Sequence, residues 1–268
     1  MRLATWNVNS ITARLPRLLD WLETRRPDIA CLQETKVAAD AMPVDEIRAA
    51  GYEVVTHGRG RWNGVALLSK VGLDEVTTGI DDEPGFPDPE ARAIAATCAG
   101  IRVRSVYVPN GRTPQDPHYV YKLDWLDALR ATVAAELPTH PQSVVCGDFN
   151  VAPTDADVWD PAAFAGATHV TPAERERLAA LRDLGLADVL PRPGKGPNPF
   201  TYWDYRAGMF HKDMGMRIDH VYASGPVTSR ITGVPESRIR VRMGDVGGGF
   251  GQKAYLARDE QVVLLASY

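Results

Sequence analysis

The stretch QSVVCGDFNVAPTD, residues 142–155, decides the fold. Its first half is a short β-rich run, too brief for an ordinary helix, and its paired valines suit a buried strand. The run ends on Asp148 and Asn150. A carboxylate that closes a buried strand costs desolvation free energy unless it is paired or bound to a cation, and strand ends are where α/β folds hold ligands. The blander reading is that Asp and Asn are turn formers.

The same arrangement recurs along the chain. Asn7 and Asn9 follow LATW, Glu34 follows IACLQ, and Asp219 lies in RID. One polar strand end means little, but the set points to a site. LATWNV (3–8), PDIACLQ (27–33), YEVVTH (52–57), GVALLS (64–69) and IRVRSVYV (101–108) join 142–149 as expected strands, at spacings too irregular for a solenoid. Helices are expected at 11–26, where Leu15, Leu18, Leu19 and Leu22 keep helical spacing around a Pro16 that only an early turn tolerates. A second is expected at 118–137, on Tyr121, Trp125, Leu129 and Val133. A third, at 172–185, starts from a Thr171/Glu174 capping box and stops at Gly185. Several strands follow one another across turns alone, at 57–63 and 97–101, which favours an α+β sandwich over strict βαβ winding. The Pro/Gly-rich stretches 81–89 and 191–199 read as ordered surface loops rather than linkers. Residues 1–229 are therefore expected to form one domain, with 230–268 an atypical tail that is not an independent domain.

Composition narrows the function classes. At 268 residues, 44% hydrophobic and 24% charged, the chain matches an average soluble globular protein able to bury a sizeable core. No apolar run approaches the ~20 residues of a membrane span. The N-terminal residues begin directly with strand-like alternation, so no secretory signal is expected and the chain is placed in the cytoplasm. A net charge of −4 argues against a general polyanion-binding module; a nucleic-acid substrate would need local basic patches and metal ions. Cys31, Cys98 and Cys146 lack the close pairing of a zinc site and read as buried reduced thiols.

The polar strand ends suit one chemistry. Hydrolysis of a phosphodiester needs a hard cation, an oriented water with a base, and stabilisation of the leaving oxygen. Mg²⁺ prefers carboxylates and amide carbonyls and keeps several waters, so one or two carboxylates suffice. Glu34 is the first choice of ligand.

WNVNSITAR (6–14), LQETK (32–36), GVALLSK (64–70), GDFNVAPTD (147–155), FTYWDYR (200–206) and RIDHVYAS (217–224) resemble, in order and spacing, successive motifs of the exonuclease III and AP endonuclease family, over about residues 1–229. The resemblance implies a four-layered α/β sandwich of the endonuclease/exonuclease/phosphatase type. It also implies a monomeric Mg²⁺ (or Mn²⁺)-dependent phosphodiesterase that cleaves double-stranded DNA 5′ to abasic sites and at 3′ ends in base excision repair. In that pattern Glu34 binds the metal with Asn7, Asp148 and Asn150 in the same set. Asp148 orients or deprotonates the attacking water, Asn150 hydrogen-bonds the phosphate, and Tyr107 contacts the phosphate or a bound water. Trp203 packs against the abasic sugar or a base, Lys36 and Arg92 contact DNA, and Asp219 orients a histidine. Read from the residues alone, Tyr107 could be a packed aromatic, Trp203 a core tryptophan, and Lys36, Arg92 and Arg206 solvated charges. His220 should face away from Asp219, because successive strand residues alternate, and is taken as structural. His211, in GMFHKDMG, is a DNA-facing or surface residue.

The family closes with a Ser-Asp-His segment whose Asp and His complete the site. After Arg230 this chain reads ITGVPESRIRVRMGDVGGGFGQKAYLARDEQVVLLASY instead. GDVGGGFGQK (244–253) resembles the Gly-rich loop of the molybdopterin-binding large subunit of xanthine dehydrogenase relatives, but an isolated loop cannot rebuild that cofactor site. A fusion, recombination or assembly error is the expected origin of residues 231–268, and QVVLLAS (261–267) has strand character. The expected consequence is weak or absent nuclease activity with the metal site partly retained. The rival readings are a catalytically dead DNA-binding relative and a small-phosphoester phosphatase of the same superfamily.

Overall fold

The computed structural model describes residues 1–190, 197–204, 206–232 and 263–264, with backbone alone at 206, 230–232 and 263–264. β1 (Arg2–Asn7), β2 (Ile29–Gln33), β3 (Glu53–His57) and β4 (Val65–Ser69) make a first sheet in the order β1-β2-β4-β3, parallel only between β1 and β2. The second sheet contains β5 (Asp74–Thr78), β6 (Ala93–Cys98), β7 (Ile101–Tyr107), β8 (Ser143–Asp148) and β9 (Leu186–Asp188). After a small ribbon of β10 (Tyr202–Trp203) and β11 (Gly215–Met216), β12 (Asp219–Ser224) inserts between β8 and β9 to give β5-β6-β7-β8-β12-β9. β13 (Val263–Leu264), within the stretch of strand character near the end of the chain, pairs antiparallel with Arg2 and Leu3 on the first sheet.

Alternation along the strands assigns each sheet two buried faces. Leu3, Ile29, Cys31 and Leu67 of the first sheet pack against Val103, Val144, Cys146 and Val221 of the second, so the sheets face each other. On its other face the first sheet meets α1 (Ile11–Arg25) and α2 (Val44–Ala49) through Leu18, Trp21, Leu22 and Ile47. α3 (Pro117–Glu136) and α4 (Pro172–Arg182) cover the second sheet through Trp125, Leu129, Leu178 and Leu181. Four layers result, as the family resemblance implies. α5 (Gly225–Thr232) follows β12. No helix among the described residues is long and apolar enough to cross a membrane. Cys31, Cys98 and Cys146 are buried and unbridged.

Local chemistry sets the element ends. α3 begins one residue before its expected start because Asp116 accepts from His118 N and Pro117 fills the first turn. The Thr171/Glu174 box caps α4. Pro16 lies inside α1 and the helix continues past it; Thr12, whose carbonyl loses its donor, is exposed to water. The inward stripe of α1 is Ile11, Leu18, Trp21 and Leu22, while Leu15 and Leu19 are only half-buried. β5, β6 and β9 were not among the expected strands. β6 is alanine-rich, β5 is an exposed edge strand, and β9 has three residues. β6 and β7 join through Ala99 and Gly100, both left-handed, as a two-residue hairpin turn demands. Of the expected loop 191–199, residues 191–196 lie outside the described residues.

Candidate active site

Between the sheets, inward-facing positions grow more polar toward one end. They run Leu3, Thr5, Asn7 on β1, Ile29, Cys31, Gln33 on β2, and Val144, Cys146, Asp148 on β8. β7 adds Val103, Ser105 and Tyr107, and antiparallel β12 runs Ala223, Val221, Asp219. Midway, Gln33 Nε2 donates to Ser105 Oγ (2.9 Å) and Thr5 Oγ1 (3.0 Å), tying the sheets through satisfied buried groups.

At the lip the pairing register makes a row. Tyr107 lies beside Asp148 on parallel β7 and β8, and Asp219 lies opposite Asp148 on β12. From the other sheet, Asn7 Nδ2 donates to Asp148 Oδ2 (2.9 Å) and to Glu34 Oε1 (2.7 Å), so one amide spans the two sheets. Asn9, Glu34, Lys36 and Asn150 all adopt left-handed backbone, with φ of 42°, 52°, 55° and 53°. Strained non-glycine residues gathered at one spot mark functional sites. Gly147, with φ 145°, is obligatory here because a Cβ would lie 2.0 Å from Val106 O, where β7 and β8 converge just before Asp148.

Each side chain is held from more than one side. Asp148 Oδ1 accepts from Asn150 N (3.0 Å), and burial, with the Glu34 charge nearby, pushes its carboxyl up to about 7 against the lowering effect of Asn7. Asn150 Nδ2 donates to Val108 O (3.0 Å), and its Oδ1 accepts from Asn110 (3.3 Å). Lys36 Nζ sits 2.7 Å from Glu34 Oε2 and donates to Asn9 Oδ1. Burial and then the Glu34 carboxylate push the Tyr107 phenol well up, so it remains protonated. Arg92, 4% exposed, is not a solvated charge: its guanidinium stacks 4.8 Å from the Tyr107 ring centre, donates to Tyr107 O (3.1 Å) and pairs with Glu90 (2.6 Å).

Other residues singled out from the sequence have different surroundings. Trp203 is 6% exposed, edge-on to Phe200 and Phe210, and donates from Nε1 to Asp213 (3.3 Å). His211 is exposed. The Arg206 side chain lies outside the described residues. His220 does face away, packed against Phe149 and Tyr222. Arg217 donates to its Nδ1 (2.9 Å), which leaves Nε2–H to donate to Val151 O (2.8 Å), so the ring is neutral.

That environment makes His220 a stability switch. Burial and then the Arg217 charge push its pKa down to about 4. The unfolded chain takes up the proton first, so the stabilisation is complete above about pH 6.5 and is lost as pH falls toward 4, by about 3 kcal/mol in all. His220→Gln, which can repeat the same acceptor and donor, should flatten the stability profile over that interval in chemical denaturation. An unchanged acid limb would sink this assignment.

Asp219 differs from its neighbours. It is 1% exposed, and neither carboxylate oxygen has a hydrogen-bond partner among the described residues. Burial and then Asp148 push its carboxyl well up, against the lowering effect of the nearby Thr201 hydroxyl. The stretch where the sequence pattern loses its histidine lies outside the described residues. Among those described, no three His, Cys, Asp or Glu side chains form a metal cage. Glu34, Asp148 and the amides of Asn7 and Asn150 instead offer the few oxygens that suit a hard cation keeping its waters. Lys122 and Glu174, beneath the site, were not singled out from sequence as site residues; Glu174 signalled only a helix cap.

The family model "Endonuclease/Exonuclease/phosphatase family" matches residues 4–239, and a second, "Molybdopterin cofactor-binding domain", matches residues 217–268. The DNA repair nuclease APEX1 of Danio rerio is 31% identical over 90% of this chain and 77% of its own. A 3′-5′ exonuclease from Neisseria meningitidis, NExo, superposes with a TM-score of 0.85 at 35% identity, covering 98% of each chain, as does the 3′ phosphatase NExo from Neisseria bound to product DNA hairpin, with a TM-score of 0.85 at 35% identity. An AP endonuclease from Archaeoglobus fulgidus superposes with a TM-score of 0.80 at 36% identity, covering 86% of this chain and 89% of its own.

Proposed function

Because the chain belongs to the endonuclease/exonuclease/phosphatase family and is by kinship a nuclease-type hydrolase, we propose that it is a Mg²⁺ (or Mn²⁺)-dependent DNA phosphodiesterase that acts 5′ to abasic sites and at 3′ ends, working as a monomer in the cytoplasm. Residues 1–229 would form the nuclease domain and 230–268 an appended tail. The observation that carries the reading is the Tyr107–Asp148–Asp219 row joined to Glu34 through Asn7.

Glu34 would be the principal ligand of a divalent cation, with Asn7, Asp148 and Asn150 supplying further oxygens. Held there, it would supply neutralisation of the phosphate and of the developing charge on the leaving oxygen. Asp148, whose carboxyl burial raises to about 7, takes the proton of the attacking water. Tyr107, held protonated by burial and the Glu34 charge and pinned in place by Arg92, donates a hydrogen bond toward the phosphate. Asn150 presents its amide to the phosphate from a fixed left-handed turn. Lys36 adds positive charge at the mouth. Trp203 contributes by shaping the pocket for the sugar.

Residues 231–268 carry no Ser-Asp-His segment, and that departure from the family pattern supports a slow enzyme. Loss of one acid-base or electrostatic contributor costs about 10²–10⁴-fold. Duplexes with one abasic site or a recessed 3′ end should be cleaved in Mg²⁺, slowly, and not at all in EDTA. Binding with a steep salt dependence but no cleavage would select a DNA-binding relative instead, and hydrolysis of small phosphoesters with intact DNA left untouched would select a phosphatase.

A further inference from the structure

Lys122 and Glu174 form an ion pair in which both side chains are 0% exposed. Replacing such a pair by apolar side chains is often neutral or stabilising, so packing alone does not account for it. What the charges do is visible in the partners. Lys122 Nζ donates to the carbonyls of Asn150 (2.7 Å) and Asn110 (3.2 Å) as well as to Glu174. Those carbonyls belong to the loops that leave β8 and β7 at the lip of the site. Glu174 in turn accepts from Thr168 Oγ1 (2.8 Å), His169 N (3.0 Å) and Thr171 N (3.0 Å), so every charge is satisfied. His169 Nδ1 gives the Asn150 carbonyl a second donor.

The loops have little room to settle elsewhere. Gly111 is left-handed, and a Cβ there would lie 2.9 Å from Lys122 Cδ and 2.8 Å from Thr168 Oγ1. Asn150 holds a left-handed conformation of the kind asparagine tolerates. Its N–H reaches Asp148 Oδ1 (3.0 Å), and its side chain meets Asn110 (3.3 Å). One ammonium therefore stands behind both asparagines and, through one amide, behind the aspartate.

We infer that Lys122, braced by Glu174, is a positioning residue for phosphodiester hydrolysis, fixing the Asn110 and Asn150 loops so that Asn150 and Asp148 meet the phosphate in register. This rests on the nuclease reading. Lys122→Met, Glu174→Gln and the apolar double variant Lys122→Met/Glu174→Leu test it, each followed by thermal melting, kcat and KM on a duplex with a recessed 3′ end, and amide hydrogen exchange at residues 148–152. The double variant should melt within a few degrees of the parent. Its kcat should still fall roughly 10²-fold at unchanged KM, the scale of a loss of about 1 Å in placement, and the Asn150 amide should exchange at least tenfold faster. Recovery of kcat along with stability in the double variant, or an unchanged Asn150 exchange rate, would overturn the assignment. A parent protein that cleaves no DNA sinks the nuclease reading instead, while the exchange comparison still decides whether Lys122 fixes the loops.

Discussion

Asp148→Asn is expected to lower kcat on a recessed 3′ end by about 10²–10⁴-fold, the contribution of a positioned general base, while leaving DNA binding intact. The geometry makes the substitution clean in size but not in bonding. Asp148 accepts from Asn7 through one oxygen and from the Asn150 amide through the other. An asparagine can satisfy one of these donors, and its own amide then faces the second. Base chemistry is lost and the bridge between the sheets is weakened together; Asn7→Ala removes the bridge together with one amide oxygen of the proposed metal set, and keeps the base. If Asp148→Asn cleaves at the parent's rate, the base lies elsewhere. The pH profile gives a second check. A protonated Asp148 cannot accept a proton, so kcat should fall on the acid side, with a midpoint at or below about 7, since a bound divalent cation opposes the burial that raises the carboxyl.

Much of this site is readable as a property of single strands. Period-two alternation places Leu3, Thr5 and Asn7 on one face of β1, and Val144, Cys146 and Asp148 on one face of β8, so a polar residue at the end of an apolar series announces a lip. The same alternation assigns His220 to the opposite face from Asp219, where it lies. Strand periodicity cannot say which strands face one another, and the 2.9 Å contact from Asn7 to Asp148 spans 141 residues of sequence. Arg92 shows the limit differently. A charged residue before an alanine-rich strand looks like a surface cation, yet it is buried under an aromatic ring with its own carboxylate partner. Glu174 was legible in half its role. Its Oε2 makes the helix cap that a Thr-x-x-Glu pattern predicts, whereas its Oε1 holds Lys122, a partner that α3 delivers only once the two helices pack. Trp203, implied to meet the sugar, is enclosed by Phe200 and Phe210, in keeping with the core tryptophan that its residue type alone allowed.

Asp219→Asn should raise stability and lower activity together, a combination expected where a group is kept for function at a cost to the fold. Both Asp219 oxygens are buried without a hydrogen-bond partner among the described residues, and Asp148 lies across the strand pair. Leaving a buried acceptor unsatisfied costs about 1–3 kcal/mol, more if it is charged. The direction with pH follows from linkage. The folded carboxyl is held well above its ordinary value, so the folded state keeps a proton that the unfolded chain releases near pH 4. Asp219's contribution to stability is then most favourable below about pH 4 and declines as pH rises toward the folded value. Asparagine cannot ionise and removes that slope. In EDTA, the melting temperature of Asp219→Asn should match the parent near pH 4 and exceed it increasingly toward pH 8, by several degrees. The same variant in Mg²⁺ should cleave more slowly than the parent, because it loses the negative charge that would orient a donor or support the cation. A variant that melts lower than the parent at pH 8 would mean that Asp219 is already satisfied in solution, by a partner from the tail or by a bound ion, and the prediction of a slow enzyme would fall with it.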